Sequence, residues 1–219
     1  MSGTATLVIG NKALSSWSMR PWVLMRALGV DFEEKLVRLD RPETRATLAE
    51  HSPSGLVPCL IEADGTVVWD SLAICERVHE THGAAWPEDG RLRAHARCSA
   101  AEMHSGFQTL RSTWPMDLTK EGAGLATPLA VKRDLKRVFA LWSEALALSG
   151  GPFLYGGFCA ADAMYAPVVT RIRTYGPVPM PEACEAYAER VWTHDAVRAW
   201  RDGAAEEAAA GWYAWTEIG

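Results

Sequence analysis

Three short runs in the first third of the chain carry residues able to do chemistry. The first is Ser15-Ser16-Trp17-Ser18-Met19-Arg20-Pro21, three hydroxyls in seven positions, shortly after an apolar run (Leu7, Val8, Ile9) and a Gly10-Asn11 break. Proline has no N–H to give, so Pro21 fits at lowest cost inside the first turn of a helix. That predicts a regular helix starting near Ser18 and leaves Ser15 and Ser16 in the loop before it. A hydroxyl in front of a helix N-terminus faces unpaired N–H groups and the positive end of the helix dipole, a setting that stabilises an anion such as a thiolate. The same residues also make a plain cap, with Ser16 or Ser18 as the capping hydroxyl.

The second run, Ser54-Gly55-Leu56-Val57-Pro58-Cys59, sets a proline directly before a strand-forming segment. A trans edge proline is the ordinary arrangement there. A cis Val57-Pro58 bond would instead turn the Val57 backbone outward as donor and acceptor for an extended peptide. In the third run, Asp70-Ser71, Ser71 is a natural helix cap. The alternative use joins Ser71 and the helix N-terminus to a carboxylate and Asp70 to an ammonium, the two charges of an α-amino-acid head group.

Elements must bring these runs together. Leu7 to Ile9 reads as a strand and Trp22 to Leu28 as a helix stopped by Gly29; Phe32 to Leu39 reads as a second strand and Pro42 to Glu50 as a second helix. Cys59 to Glu62 and Val67 to Trp69 flank Asp64-Gly65, a hairpin turn signal, and a helix follows from Leu72 to a stop at Gly83. The order β-α-β-α-β-β-α gives a four-stranded mixed sheet of thioredoxin-like arrangement over residues 1–83. Residues 84–90, with Trp86-Pro87, read as a linker. Residues 91–219 read as an all-helical bundle, with helical windows at Leu92 to Leu110, Leu129 to Leu148, Ala160 to Thr174, Pro181 to Trp192 and Asp195 to Ala210.

Composition narrows the partners. The chain has 219 residues, 48% of them hydrophobic, which is enough for a sizeable core in two modest domains. Its net charge of -5, with scattered Lys and Arg, argues against nucleic acid and anionic membrane surfaces. No apolar run approaches a membrane span and the start lacks a secretory layout, so a cytoplasmic, soluble protein is expected. Five cysteines form no C-x-x-C pair and no zinc-ligand spacing, so no metal is expected.

Taken in this order on this fold, the three runs resemble the cytosolic glutathione transferases over the whole chain, nearest to their serine-type, zeta- or theta-like bacterial members. The resemblance implies glutathione as co-substrate, a small apolar electrophile as second substrate, and a homodimer. It assigns Ser15 as the hydroxyl that stabilises the glutathione thiolate, with Ser16 as the alternative and Trp17 beside them. Val57 before a cis Pro58 would pair with the cysteinyl backbone, and Asp70 with Ser71 would hold the γ-glutamyl group. The first tyrosine is Tyr155 and the first cysteine Cys59, so neither tyrosine- nor cysteine-type members fit at the first turn. Ser15 to Arg20 is similar to the zeta-class Ser-Ser-Cys-Ser-x-Arg run with Trp17 in place of its cysteine, which keeps a maleylacetoacetate-type isomerisation open.

The resemblance also places the stretch after the linker on the interdomain cleft. There His104, Phe107, Arg111 and Met116 form a candidate substrate pocket, with Arg111 able to meet a carboxylate; the alternative is that Phe107 is bundle core and His104 and Arg111 are structural partners. Leu56 stands where members often carry Lys or Gln, leaving Arg41, Arg45 or His51 to meet the glycine carboxylate. Asp162 matches the family's capping Asp, but Cys159 replaces its hydroxyl partner, which predicts a weaker helix start. Two other activities stay open: a glutathione-binding module of low turnover, and peroxide reduction by bound glutathione. A glutathione-dependent thiol oxidoreductase is disfavoured, because it needs a reactive cysteine in the first turn.

Overall fold

The computed structural model describes residues 3–124 and 127–213; the last six positions of the expected helical domain lie outside the described residues. Four strands, β1 (Ala5–Ile9), β2 (Phe32–Leu36), β3 (Cys59–Ile61) and β4 (Val67–Trp69), form one sheet in the order β2-β1-β3-β4. β1 runs parallel to β2 and antiparallel to β3, and β3 pairs antiparallel with β4. Alternation along β1 decides which layer each side chain joins. Leu7 and Ile9 enter the large core, while Val8 meets Val37, Leu48 and Cys59 on the opposite face. Gly65, at φ 88°, supplies the left-handed position of the β3–β4 turn, and Asp64 Oδ1 accepts the Thr66 N–H at 2.8 Å.

Helices α1 (Ser16–Ala27), α2 (Thr44–Ala49) and α3 (Ser71–His82) complete the thioredoxin-like domain. Helix α1 begins two residues earlier than expected, with Ser15 as its cap. Pro21 therefore sits inside the helix, and what it withholds is the N–H that would have paired with the Trp17 carbonyl. The cap of α3 also differs from expectation. Asp70, at φ 77°, accepts the Leu72 and Ala73 amides at 2.8 and 3.3 Å, and Ser71 is the first helical residue.

Beyond residue 89 the described chain is helical: α4 (Gly90–Ser105), α5 (Gln108–Thr113), α6 (Leu129–Ser149), α7 (Ala160–Tyr175), α8 (Glu182–Thr193) and α9 (Asp195–Ala209). The window expected as one helix from Leu92 to Leu110 is two. Phe107 adopts φ 55°, which ends the continuous ladder, and Asp134 of α6 then accepts the Leu110 N–H at 2.8 Å, fixing the start of α5. Val131, Leu135, Val138, Trp142 and Ala145 form the buried stripe of α6. Helix α7 is buried along almost its whole length and packs against α1 and α4; with α9 on α1 and α4 on α3, it joins the helical domain to the first domain. Among the described residues no helix is long and apolar enough to cross a membrane.

The start of α7 corrects a further expectation. Asp162 Oδ2 accepts the Cys159 N–H at 2.9 Å, and the Cys159 thiol faces the Asp162 N–H, so both halves of the capping box are in place. Sulfur is the weak half, since it accepts less well than a hydroxyl oxygen.

Candidate active site

A cavity of about 740 Å³ lies between the sheet domain and α4, α5 and α7. Its walls include Ser15, Ser16, Trp17, Val57, Pro58, Asp70 and Ser71 from the first domain, and His104, Arg111, Met116 and Arg171 from the second. The three runs picked out in the sequence thus share one cleft. Phe107 does not line it: its ring is buried in the core while its backbone makes the turn between α4 and α5. Arg41, Arg45 and His51 are not among the cavity walls, and Leu56 is, with 66% of its surface exposed.

At the start of α1 the hydroxyls are divided between two tasks. Ser15 Oγ donates to Ser18 Oγ at 2.8 Å and accepts the Ser18 N–H at 3.4 Å, while Ser18 Oγ accepts the Gly10 N–H at 3.1 Å. The Ser15 proton is therefore committed to closing the turn. Ser16 Oγ accepts from Arg171 Nη2 at 3.3 Å, leaving its own proton free to be donated into the cavity. The first turn of α1 contains no acidic residue, so its positive end is uncompensated by protein.

Arg171 was not anticipated from the sequence. It is 3% exposed, and its other nitrogens donate to Trp114 O at 2.7 Å and Pro167 O at 2.9 Å. Burial first, then repulsion from Arg111, draws its pKa down to about 10, so it stays charged at neutral pH. The signal available was a lone cation inside the apolar run Ala160 to Ile172 that also holds Asp162. Charges in such a run are retained where they have a partner or a ligand.

Across the cleft, the Val57-Pro58 peptide bond is cis, and among the described residues no hydrogen bond occupies the Val57 N–H. Ser71 is 1% exposed and its hydroxyl has no partner. Asp70 Oδ2 stands 3.1 Å from His104 Nε2, an ion-pair geometry that ties α3 to α4 over the cleft. Burial, aided by Arg20 and Arg111, lowers the His104 pKa against the pull of Asp70, so the imidazole is neutral at neutral pH. Trp17 is ringed by cations and by the edge of His104: Arg20 lies 4.0 Å and Arg111 5.0 Å from its ring, and His104 5.3 Å. Arg20 is fully buried, and none of its guanidinium nitrogens has a protein partner. Burial leads the causes that lower its pKa to about 9.

Residues 14–81 match the family described as glutathione S-transferase, N-terminal domain. The first domain is similar to the N-terminal domain of that family. The whole chain agrees in fold with a glutathione transferase homolog from Burkholderia, solved with bound glutathione. Its TM-score is 0.71 at 24% identity, over 93% of this chain and 100% of that one. A probable maleylacetoacetate isomerase from Caenorhabditis elegans is 36% identical over 130 residues, 58% of this chain; the match spans 60% of the nematode protein's length. Glutathione S-transferase 1 from Dianthus caryophyllus is 28% identical over 181 residues, 80% of this chain and 81% of that one. The matched range includes the Ser15 to Pro21, Val57-Pro58 and Asp70-Ser71 runs on the first-domain wall of the cleft.

Proposed function

We propose that this protein is a serine-type glutathione transferase that binds glutathione along the first-domain wall of the cleft and activates its thiol at the start of α1. The observation that carries this reading is the Ser16 hydroxyl, backed by Arg171 and placed at an uncompensated helix N-terminus inside the cavity. On this reading the free Val57 amide pairs with the cysteinyl backbone. The γ-glutamyl carboxylate meets Ser71 Oγ, which has no partner in the protein, and its ammonium shares Asp70 Oδ2 with His104. Ser16 donates to the thiolate and Ser15 holds the turn, which reverses the order of the two serines implied by resemblance alone.

Serine is no base here, since its own ionisation lies far above neutral pH. It stabilises the thiolate against a thiol pKa of about 8.5, with Arg171 adding charge behind it. The thiolate then forms a sulfur–carbon bond to an electrophile. The displaced electron pair leaves with a departing group or moves onto a conjugated carbonyl, and the thiol proton passes to solvent or to the adduct. Isomerisation about an activated double bond is the same addition run forward and back; the name of the nematode relative supports testing it, and Trp17 marks where this chain departs from the zeta-class run. The division into residues 1–83 and 91–219 and a homodimeric state belong to the same proposal; light scattering and limited proteolysis check them.

The deciding experiment is the pKa of bound glutathione, read from thiolate absorbance against pH. Wild type is expected to lower it by about one to two units. Ser16→Ala is expected to return it toward the free value, and Ser15→Ala is expected to keep most of the shift. The reverse pattern moves the role to Ser15. An unshifted thiol in wild type removes the transferase reading and leaves a glutathione-binding module.

A further inference from the structure

We propose that Glu207, in the last turn of α9, is a positioning residue for the thiolate site: its carboxylate holds the loop between β1 and α1 from behind, so that Ser16 and the open helix start face the cavity. The proposal rests on the reading of that helix start as the place of the glutathione thiolate. Glu207 is outside the cavity walls and only 6% exposed. Both of its oxygens accept main-chain amides of the loop, Lys12 N–H at 2.9 Å on Oε1 and Ala13 N–H at 3.4 Å on Oε2. The Tyr213 hydroxyl, from the chain beyond α9, also donates to Oε2. The Trp200 indole N–H of α9 donates to Lys12 O at 2.9 Å, and the Leu118 amide to Ala13 O at 3.1 Å. Every main-chain polar group of Lys12 and Ala13 is thus answered from the helical domain.

Burying a carboxylate is costly, and loop amides left at a surface are satisfied by water, so folding alone does not call for this clasp. The next three residues supply the reason. Leu14, Ser15 and Ser16 line the cavity, and Asn11 O accepts the Leu14 and Ser15 amides at 3.2 and 2.8 Å, which carries the position of residues 11–13 to the cap of α1. Packing agrees with the hydrogen bonds. Ala13, Ala204 and Tyr213 form a buried cluster with Leu14, Leu118 and Trp212 against it. Glycine inside a helix weakens it, yet α9 carries Gly203 where the loop passes: a Cβ there would stand 2.7 Å from Lys12 Cδ. The charge of Glu207 works against its position, because a carboxylate behind the site disfavours a thiolate in front of it. What Glu207 contributes to the thiolate is therefore geometry, and geometry and charge predict opposite signs when it is replaced.

Three measurements on the full-length protein test this in wild type, Glu207→Gln and Glu207→Ala: the pKa of the bound glutathione thiol, the affinity for S-methylglutathione, which has no thiolate, and hydrogen exchange over residues 11–18. Glu207→Ala is expected to raise the thiol pKa by about one unit, which is about tenfold less thiolate below that pKa. Glu207→Gln keeps one acceptor for the loop and is expected to raise it by about half as much, and it carries the test if the alanine variant does not fold. S-methylglutathione affinity is expected to stay within about twofold, and loop exchange in Glu207→Ala to quicken about tenfold. A wild-type thiol pKa in both variants overturns the proposal, since the carboxylate then serves folding alone. A lowered thiol pKa overturns it too, because charge and not position would govern. So does an equal loss of affinity for glutathione and S-methylglutathione, which would place the damage across the whole site. An unshifted thiol in wild type is instead the failure of the transferase reading, and exchange then decides the clasp: unprotected Lys12 and Ala13 amides in wild type, or unchanged protection in Glu207→Ala, overturn it, and protection lost in Glu207→Ala leaves the hold on the loop standing.

Discussion

Helices α1 and α7 lie side by side, and their first turns solve the same problem in opposite ways. At α7, Asp162 is fully buried and accepts both the Cys159 amide and the Leu154 amide, at 2.9 and 3.1 Å, while the Ala160 amide donates to Ala85 O across the interdomain connection. At α1 the cap is the Ser15 hydroxyl, no carboxylate enters the first turn, and Ser16 turns toward the cavity beside Arg171. A start closed by a carboxylate spends its positive end on folding. A start closed by neutral hydroxyls keeps that end for a ligand's charge. The difference separates a helix start closed by a carboxylate from one left open to the cavity, although both are short-side-chain residues before an apolar run.

The comparison breaks most severely at Asp162. Asp162→Ala leaves two buried amides unpaired and is expected to destabilise the protein by about 3 kcal/mol or more in urea unfolding. The thiol pKa of glutathione bound to the remaining folded fraction is expected to stay as in wild type. A lowered glutathione affinity per folded molecule would show that the two starts are not independent. The same carboxylate predicts a pH dependence. Burial, outweighing its amide donors, raises the Asp162 pKa to about 6 from an ordinary 3.8. Between those values the folded chain holds a proton that the unfolded chain releases, so stability is greatest below the unfolded pKa and falls as pH rises toward 6, in total by about 3 kcal/mol. Asp162→Asn is expected to flatten that slope in unfolding curves taken from pH 4 to 7.

Making α1 resemble α7 sharpens the comparison from the other side. Ser18 stands three residues after its cap, as Asp162 stands three after Cys159. Ser18→Asp would place a carboxylate at the end of the helix that α1 keeps open. It is expected to weaken glutathione binding by about tenfold or more and to raise the bound thiol pKa, with a smaller effect on folding. Retention of wild-type affinity by Ser18→Asp would mean that the anion is held elsewhere than at this helix start.

The order of elements along the first domain is legible because period-two apolar runs, the Asp64-Gly65 turn and the Gly29 and Gly83 stops all act locally. The three chemical runs were legible for the same reason. What escaped was decided by contacts between distant segments. The sequence alone favours a first-turn place for Pro21, but packing of α1 against α3, α7 and α9 carries the helix past it. Residue 107 breaks a helix that its flanking residues would continue, and Asp134, 24 positions from the amide it accepts, fixes the restart. Arg171 meets Ser16 across 155 residues of sequence, a pairing no local pattern encodes.

Cys159→Ser is the smallest change and tests the comparison at its closest point, because it gives α7 the hydroxyl cap that α1 already has. Cys159 is 4% exposed, and burial holds its thiol well above the usual range, so it acts as a neutral, weakly accepting cap. An oxygen in its place accepts the Asp162 amide better, a gain of about 1 kcal/mol for a good cap, partly offset by the lost burial of a larger, less polar sulfur. The expected net is a stabilisation of about 0.5 kcal/mol, a rise in the melting midpoint of about 1–2 °C, with the bound thiol pKa unchanged. A midpoint that is unchanged or lower would mean that sulfur packing in the core outweighs the cap, and that the carboxylate of Asp162 alone determines how α7 begins.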